Sequence, residues 1–242
     1  MAPPDFYDSL APNYHLIFED WDASIARQSA ALAPILAAAN AVTVLDCACG
    51  IGTQSLGLAA HGFRLTATDR SAAAVTRARR EATLRRLKIE FAVAAIHALP
   101  FRQFDAVICL DNALPHFDSQ SDLIHAAKQI RACLKPGGLF LASLRDYDQL
   151  SQQRPNIQGP AFYPGRIVHQ LWDWQGERSY TLHLFLTLAT PNGWQSHHYA
   201  TPCRAVLRTE IDHALLAAGF TQPVWRMPAE TGFYQPLVLA TH

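Results

Sequence analysis

The segment Val44-Leu-Asp-Cys-Ala-Cys-Gly-Ile-Gly-Thr53 sets Asp46 ahead of a turn that contains Gly50 and Gly52. Asp69 follows about 20 residues beyond, at the end of a second apolar run. Glycines between a strand and a helix let a ligand approach the backbone closely, because no Cβ stands in the way. An acid at the tip of the next strand can accept hydrogen bonds from both hydroxyls of a ribose, and its charge repels a 2′-phosphate. A bare Gly-x-Gly is weak evidence, and an ordinary tight turn with two N-capping acids would account for it. The two acids strengthen the signal. A dinucleotide fingerprint would want a third Gly or Ala where Ser55 stands, and a phosphate-binding P-loop would want a Lys that is absent.

These residues need strands and helices to position them. Val42–Asp46 reads as a short buried strand, a helix starts near Thr53, and Arg64–Asp69 repeats the pattern of a strand ending in an acid. Ser71 is a plausible N-cap for a helix running to about Leu87. Ile89–Val93 and Phe104–Leu110 read as further buried strands, and Asp122–Leu134 as a helix. Lys135–Gly138 is a turn by composition, leading into the strand Leu139–Leu144. Strands alternating with helices at this spacing predict a doubly wound, right-handed, mostly parallel α/β sheet. Ahead of it, Asp22–Ala39 has helical composition, and residues 1–21 are rich in aromatic and acidic groups.

After Tyr147 the texture changes. Gln152–Pro164 reads as a loop. Three strands are expected at Arg166–Trp174, Ser179–Thr190 and Gln195–Cys203, with Pro191-Asn-Gly193 as a hairpin signal. Positions 180, 182, 184, 186 and 188 form one apolar face. The segment at about 155–204 is therefore an antiparallel insertion over one edge or mouth of the parallel sheet. A helix over Val206–Ala218, ended by Gly219, and two last strands close the chain.

The 242 residues are half hydrophobic, with 20 Lys+Arg against 20 Asp+Glu. That length suits one large domain, or one domain with a sizeable insertion. A charge balance near zero excludes a protein built to grip nucleic-acid backbones. The local basic run from Arg77 to Lys88 is read as a solvated helix face. Five cysteines in mostly apolar runs point to reduced thiols, and Cys47-x-Cys49 lacks zinc-site spacing, so no metal is expected. Without a signal-peptide pattern or a membrane-spanning stretch, the expected location is the cytoplasm, with no membrane partner.

The run Leu45-Asp-Cys-Ala-Cys-Gly-Ile-Gly-Thr53 resembles the first motif of class I S-adenosylmethionine-dependent methyltransferases, Asp-x-x-x-Gly-x-Gly-Thr. Phe104–Asn112 is similar to their fourth-strand motif, and Leu134-Lys-Pro-Gly-Gly-Leu139 to the turn before their fifth strand. The resemblance implies a Rossmann-like sheet of seven strands whose last strand, within Gln235–Thr241, runs antiparallel. It also implies S-adenosylmethionine as cofactor and S-adenosylhomocysteine as product. Asp69 matches the family's ribose-binding acid. The cofactor set implied is Tyr14, Trp21, Arg27, Asp46, Cys47, Ala48, Gly50, Gly52, Thr53, Asp69, Arg70, Ala95, Ile96, Leu110 and Asp111. Ala95 departs from the acid that many relatives place beside adenine.

Within that class the chain looks most like the glycine and sarcosine N-methyltransferases. Cys109-Leu-Asp-Asn-Ala-Leu-Pro-His116 is similar to their Cys-Leu-Gly-Asn-Ser-x-x-His run, with Asp111 in place of Gly. Leu144-Arg-Asp-Tyr-Asp148 is similar to their His-Arg-Asn-Tyr-Asp run. The resemblance makes Asn112 and Arg145 the acceptor contacts, Arg145 clamping a carboxylate, with His116 and Tyr147 in the same two runs. Trp172 of the inserted segment, which has no residue-by-residue match, and Tyr234 near the end of the chain are expected beside them from the aromatic composition of those segments. A cover rich in Trp and His suits an acceptor larger than glycine: a small amine-bearing or heterocyclic metabolite. Two alternatives stay open. One is O-methylation of a hydroxylated metabolite with His116 as catalytic base, and the other is a cofactor-binding protein without transferase activity. The implied organisation is a helical lid over 1–40, a cofactor-binding domain over 41–150 and 205–242, and a substrate cover over 151–204.

Overall fold

The structure is a computed structural model that describes residues 4–242. Helix α1 (Pro4–Leu10) and a 3-10 turn at Tyr14–Ile17 precede α2 (Trp21–Ala38). Then β1 (Thr43–Asp46), α3 (Thr53–Ala60), β2 (Arg64–Asp69), α4 (Ala72–Leu84), β3 (Ile89–Val93) and β4 (Phe104–Cys109) alternate as expected. They are followed by α5 (Gln120–Cys133), β5 (Leu134–Ser143) and α6 (Tyr147–Gln153). Four strands come next: β6 (Ile157–Tyr163), β7 (Arg166–Trp174), β8 (Ser179–Thr190) and β9 (Gly193–Arg204). The chain ends with α7 (Arg208–Ala217), β10 (Val224–Arg226), α8 (Pro228–Thr231) and β11 (Leu237–Thr241).

One sheet has seven strands in the order β10-β11-β5-β4-β1-β2-β3. β3, β2, β1, β4 and β5 run parallel, while β11 runs antiparallel to β5, as expected for the closing strand. Its central strands carry Val44, Leu45, Ala106, Val107 and Ile108 with no exposed surface. Strands covered on both faces are apolar nearly throughout, which is why these runs read as continuous rather than alternating. Ser71 caps α4 by accepting from the Ala74 N–H, and Asp20 and Ser119 cap α2 and α5 in the same way.

The second sheet is antiparallel in the order β6-β7-β8-β9. Tyr180, Leu182, Leu184 and Leu186 of β8 are buried on its inner face. Val168, Leu184 and Leu186 pack on Phe6 and Leu10 of α1. Arg166 reaches across to accepting carbonyls of Leu16 at 2.9 Å and of Phe18 and Glu19 at 2.7 Å each. The insertion thereby fastens the N-terminal segment over the mouth of the parallel sheet.

Three expectations need correction. Gln152–Pro164 is not a loop: it holds the end of α6 and the strand β6. Its prolines are tolerated because β6 is an edge strand and its register shifts between Gln158 and Ala161, where Pro160 has no N–H to offer. Lys135–Gly138 does not end a strand but forms a bulge within β5, four residues bulging opposite Asp105 between the Phe104–Leu134 and Ala106–Leu139 pairs. A Cβ at Gly138 would stand 2.9 Å from the Lys135 carbonyl oxygen, so this bulge needs glycine. The α4 helix also stops at Leu84 rather than Leu87.

Candidate active site

The glycine loop leaves β1 and turns into α3 with Gly50 at φ +51° and Gly52 at φ +95°. The Gly52 carbonyl accepts from Leu56 at 2.8 Å and so starts the helix. Asp69, at the tip of β2, accepts from the Gly50 N–H and the Ser71 N–H, each at 2.9 Å. One N–H on each oxygen fixes the carboxylate and leaves lone pairs for two further donors. Burial raises the Asp69 pKa, against the opposing pull of the Ser71 and Gly50 N–H groups. Asp46 lies behind the loop. It accepts from the Ser55 hydroxyl at 2.6 Å, and burial pushes its pKa up to about 7.

A cavity opens on this loop, lined by Cys47, Ala48, Gly50, Thr53, Asp69, Arg70, Ala95, Ile96, Leu110 and Asp111 among the expected cofactor residues. Tyr14 and Tyr7 lie over it; a Cβ on Gly50 would be 3.6 Å from the Tyr14 ring. With these rings in place the open space is only about 90 Å³. Asp46 and Gly52 support the loop without lining the cavity. Trp21 and Arg27 also lie outside it. The Trp21 indole donates to the Thr53 hydroxyl at 2.9 Å, tying α2 to α3. Arg27 is exposed on the rim of a second cavity and donates to Ser24 at 3.0 Å.

The second cavity, about 630 Å³, adjoins the first and is lined by Arg145, Asn112, His116 and Tyr234. Asn112 accepts from the Arg145 N–H at 3.1 Å and donates to the Tyr147 hydroxyl at 2.9 Å, which meets the Tyr180 hydroxyl at 2.8 Å. The buried Tyr147 therefore backs Asn112 rather than facing the cavity. Trp172 is likewise behind the site, its ring 4.9 Å beneath the Arg145 guanidinium and stacked on Tyr180. Arg145 itself forms no ion pair among the described residues. His116 meets the Tyr7 hydroxyl through Nε2 at 2.6 Å, and its buried Nδ1 has no partner. Burial, helped by the charge of Arg145, lowers its pKa to about 4.

Asp111 stands where the cavities meet and lines both. Its oxygens accept from Gln54 at 2.7 Å and from the Tyr234 hydroxyl. Gln54 also donates to Gln28 of α2 at 2.6 Å. Sequence reasoning missed Tyr7, Gln28, Gln54 and Tyr180. Gln54 follows the glycine motif directly and could have been found there, but Tyr7 and Gln28 carry no signal until α1 and α2 are docked.

A central parallel sheet with an antiparallel closing strand, and a glycine loop answered by an acid on the next strand, define a class I methyltransferase fold. Residues 44–138 match a family described as a methyltransferase domain. It is 31% identical over 163 residues to the glycine N-methyltransferase of Rattus norvegicus, a match covering 61% of this chain and 56% of that protein. The chain thus spans about half the length of that relative. Among solved structures it resembles an S-adenosylmethionine-dependent methyltransferase from Clostridium acetobutylicum, with TM-score 0.78, 18% identity and 97% of each chain covered. It also resembles an amino pentose methyltransferase from Micromonospora echinaspora, with TM-score 0.73, 21% identity, and 90% of this chain and 91% of that chain covered.

The residues present fit S-adenosylmethionine. Asp69 has acceptor capacity for a ribose, and the Gly50 backbone is open to a ligand on the cavity side. Ala95 and Ile96 offer an apolar wall, and the buried Arg70 Nη1 on the cavity wall has no partner. Among the described residues no cluster could hold a metal ion, and no helix is long and apolar enough to cross a membrane.

Proposed function

We propose that this protein is a small-molecule N-methyltransferase that uses S-adenosylmethionine and acts on an amine-bearing metabolite larger than glycine. One observation carries the reading: the cavity lined by Asp69 shares Tyr7, Tyr14, Asp111 and His116 with a second cavity of about 630 Å³, whose wall includes Arg145, without an ion-pair partner among the described residues. That volume lies in the range that encloses a drug-sized metabolite. The name of the glycine N-methyltransferase relative supports nitrogen as acceptor atom.

The bound cofactor would supply a methyl group already activated on a sulfonium. The chain's residues bind, orient and exclude water. Asp69 takes the ribose, with Gly50, Arg70 and the Ala95–Ile96 wall around the rest of the nucleoside. Arg145 takes a carboxylate or another acidic group of the acceptor through its planar fork, with the Trp172 ring 4.9 Å from its guanidinium carbon. Asn112 fixes the Arg145 backbone, and Tyr147 fixes Asn112. The described part of the 1–40 segment serves as the lid, residues 1–3 lying outside the described residues, and the insertion at 151–204 serves as the cover.

Labelled methyl transfer to a metabolite extract, followed by mass identification of the product, tests this reading, which expects methylated amines. In the Arg145→Ala variant KM for a carboxylate-bearing acceptor should rise roughly 30–150-fold, the equivalent of about 2–3 kcal/mol for a lost charged hydrogen bond. An acceptor handled equally by both forms would remove the clamp. A second reading, oxygen as acceptor, draws on the neutral His116 that lines both cavities. It requires His116→Ala to abolish methylation of a hydroxyl, together with the pH dependence of turnover.

A further inference from the structure

We propose that the Asp111 carboxylate is the counter-charge for a cationic centre held in the neck between the two cavities, selecting a ligand that is positively charged at that point. The inference rests on the S-adenosylmethionine reading above and assigns the site a charge preference.

Three observations converge on Asp111. It lines both cavities, so its carboxylate is placed where the reacting ends of two ligands would meet. Its partners are neutral: the amide of Gln54 and the phenol of Tyr234. Among the described residues no Lys or Arg forms an ion pair with it, although most other ion-paired acids here have an Arg partner. Burial raises the Asp111 pKa, and the one charged group that opposes this is Arg145 across the second cavity, with which it forms no ion pair. A cation in the adjoining space would favour the carboxylate form directly.

The backbone accommodates a carboxylate here. Asp111 and Asn112 sit at φ +56° and +68°, consecutive left-handed positions without a glycine. In the run this segment resembles, glycine stands at the first of them, and glycine adopts that φ freely. Asp and Asn are the side chains that tolerate this region best, so a carboxylate can stand there at modest cost. The second ring of contacts orients it: the Asp111 N–H donates to Ser143 at 2.9 Å, and Gln28 holds Gln54. Methyl transfer to an amine moves one positive charge from sulfur to nitrogen, and both atoms belong in this neck. A fixed negative charge there therefore remains matched before and after transfer.

The test compares two ligands that differ at this point. Sinefungin carries an ammonium where S-adenosylhomocysteine has a neutral thioether. Calorimetric affinities for both are measured on the full chain, on Asp111→Asn and on Asp111→Gly. Glycine suits the backbone at this position, so Asp111→Gly keeps the fold, which circular dichroism checks. The wild type should bind sinefungin at least tenfold more tightly than S-adenosylhomocysteine. Both variants should bring that ratio to within about twofold of one while changing S-adenosylhomocysteine affinity less than threefold. A ratio that survives both substitutions overturns the proposal, as does a parallel loss of both ligands, which would make Asp111 a structural residue. A wild type that binds neither ligand defeats the S-adenosylmethionine reading itself, a different outcome from a wild type that binds both without preference.

Discussion

Asp46 and Asp69 are both acids at strand ends, yet they do different work. Asp69 faces the cavity with lone pairs to spare, while Asp46 is 1% exposed and supports the loop through Ser55. Burial raises the Asp46 pKa from 3.8 to about 7, so the folded state holds its proton more tightly than the unfolded chain does. The stability this contributes is complete below about pH 4 and is lost as the pH rises through about 7. Asp46→Asn cannot ionise. Denaturant titrations should show the wild type losing stability relative to the variant across that window, by up to about 4 kcal/mol. A constant difference between the two proteins would mean that Asp46 is ionised throughout.

At the scale of elements, the cavity depends on how closely α2 meets α3. Gly57 lies in α3 against Ser29 of α2: a Cβ there would stand 2.6 Å from Ser29 Cβ and 2.8 Å from the Ile25 carbonyl oxygen. A helical glycine costs about 1 kcal/mol relative to alanine, so contact rather than helix preference explains it. Gly57→Ala should lower stability by roughly 1–3 kcal/mol despite the better helix former, read as a fall in Tm. An unchanged or raised Tm would show that the two helices have room to separate. The alternating core was legible because strands buried on both faces and caps such as Ser71 leave local signatures. The strand β6 was not, since Pro155, Pro160 and Pro164 imitate a loop, yet only Pro160 lies within the strand, where an edge position and a register shift accommodate it. Tyr147 was placed at the acceptor by resemblance, and Trp172 by the aromatic composition of the insertion. They sit one layer behind it, a distinction that depends on packing between segments distant in sequence.

Across the whole molecule, the insertion, the N-terminal segment and the parallel sheet close on one another. Arg166 of β7 holds the three carbonyls at Leu16, Phe18 and Glu19, and α1 carries Tyr7 to His116. Asp8 adds a contact to Ser71 at the start of α4. Removing Arg166 should loosen this cover without disturbing the central sheet. In Arg166→Ala, amides of residues 6–18 should exchange faster and S-adenosylhomocysteine should dissociate about tenfold faster, the equivalent of about 1.4 kcal/mol. Unaltered exchange and dissociation would show that apolar packing of Phe6 and Leu10 alone keeps the lid shut.

The most direct test of the account is calorimetric titration of the protein and its Asp69→Ala variant with S-adenosylhomocysteine. We expect one site per chain in the wild type, and an affinity at least 30-fold weaker in the variant, about 2 kcal/mol for two lost hydrogen bonds to a charged carboxylate. Equal affinity in the two proteins, or tight binding of a nicotinamide dinucleotide in its place, would contradict it.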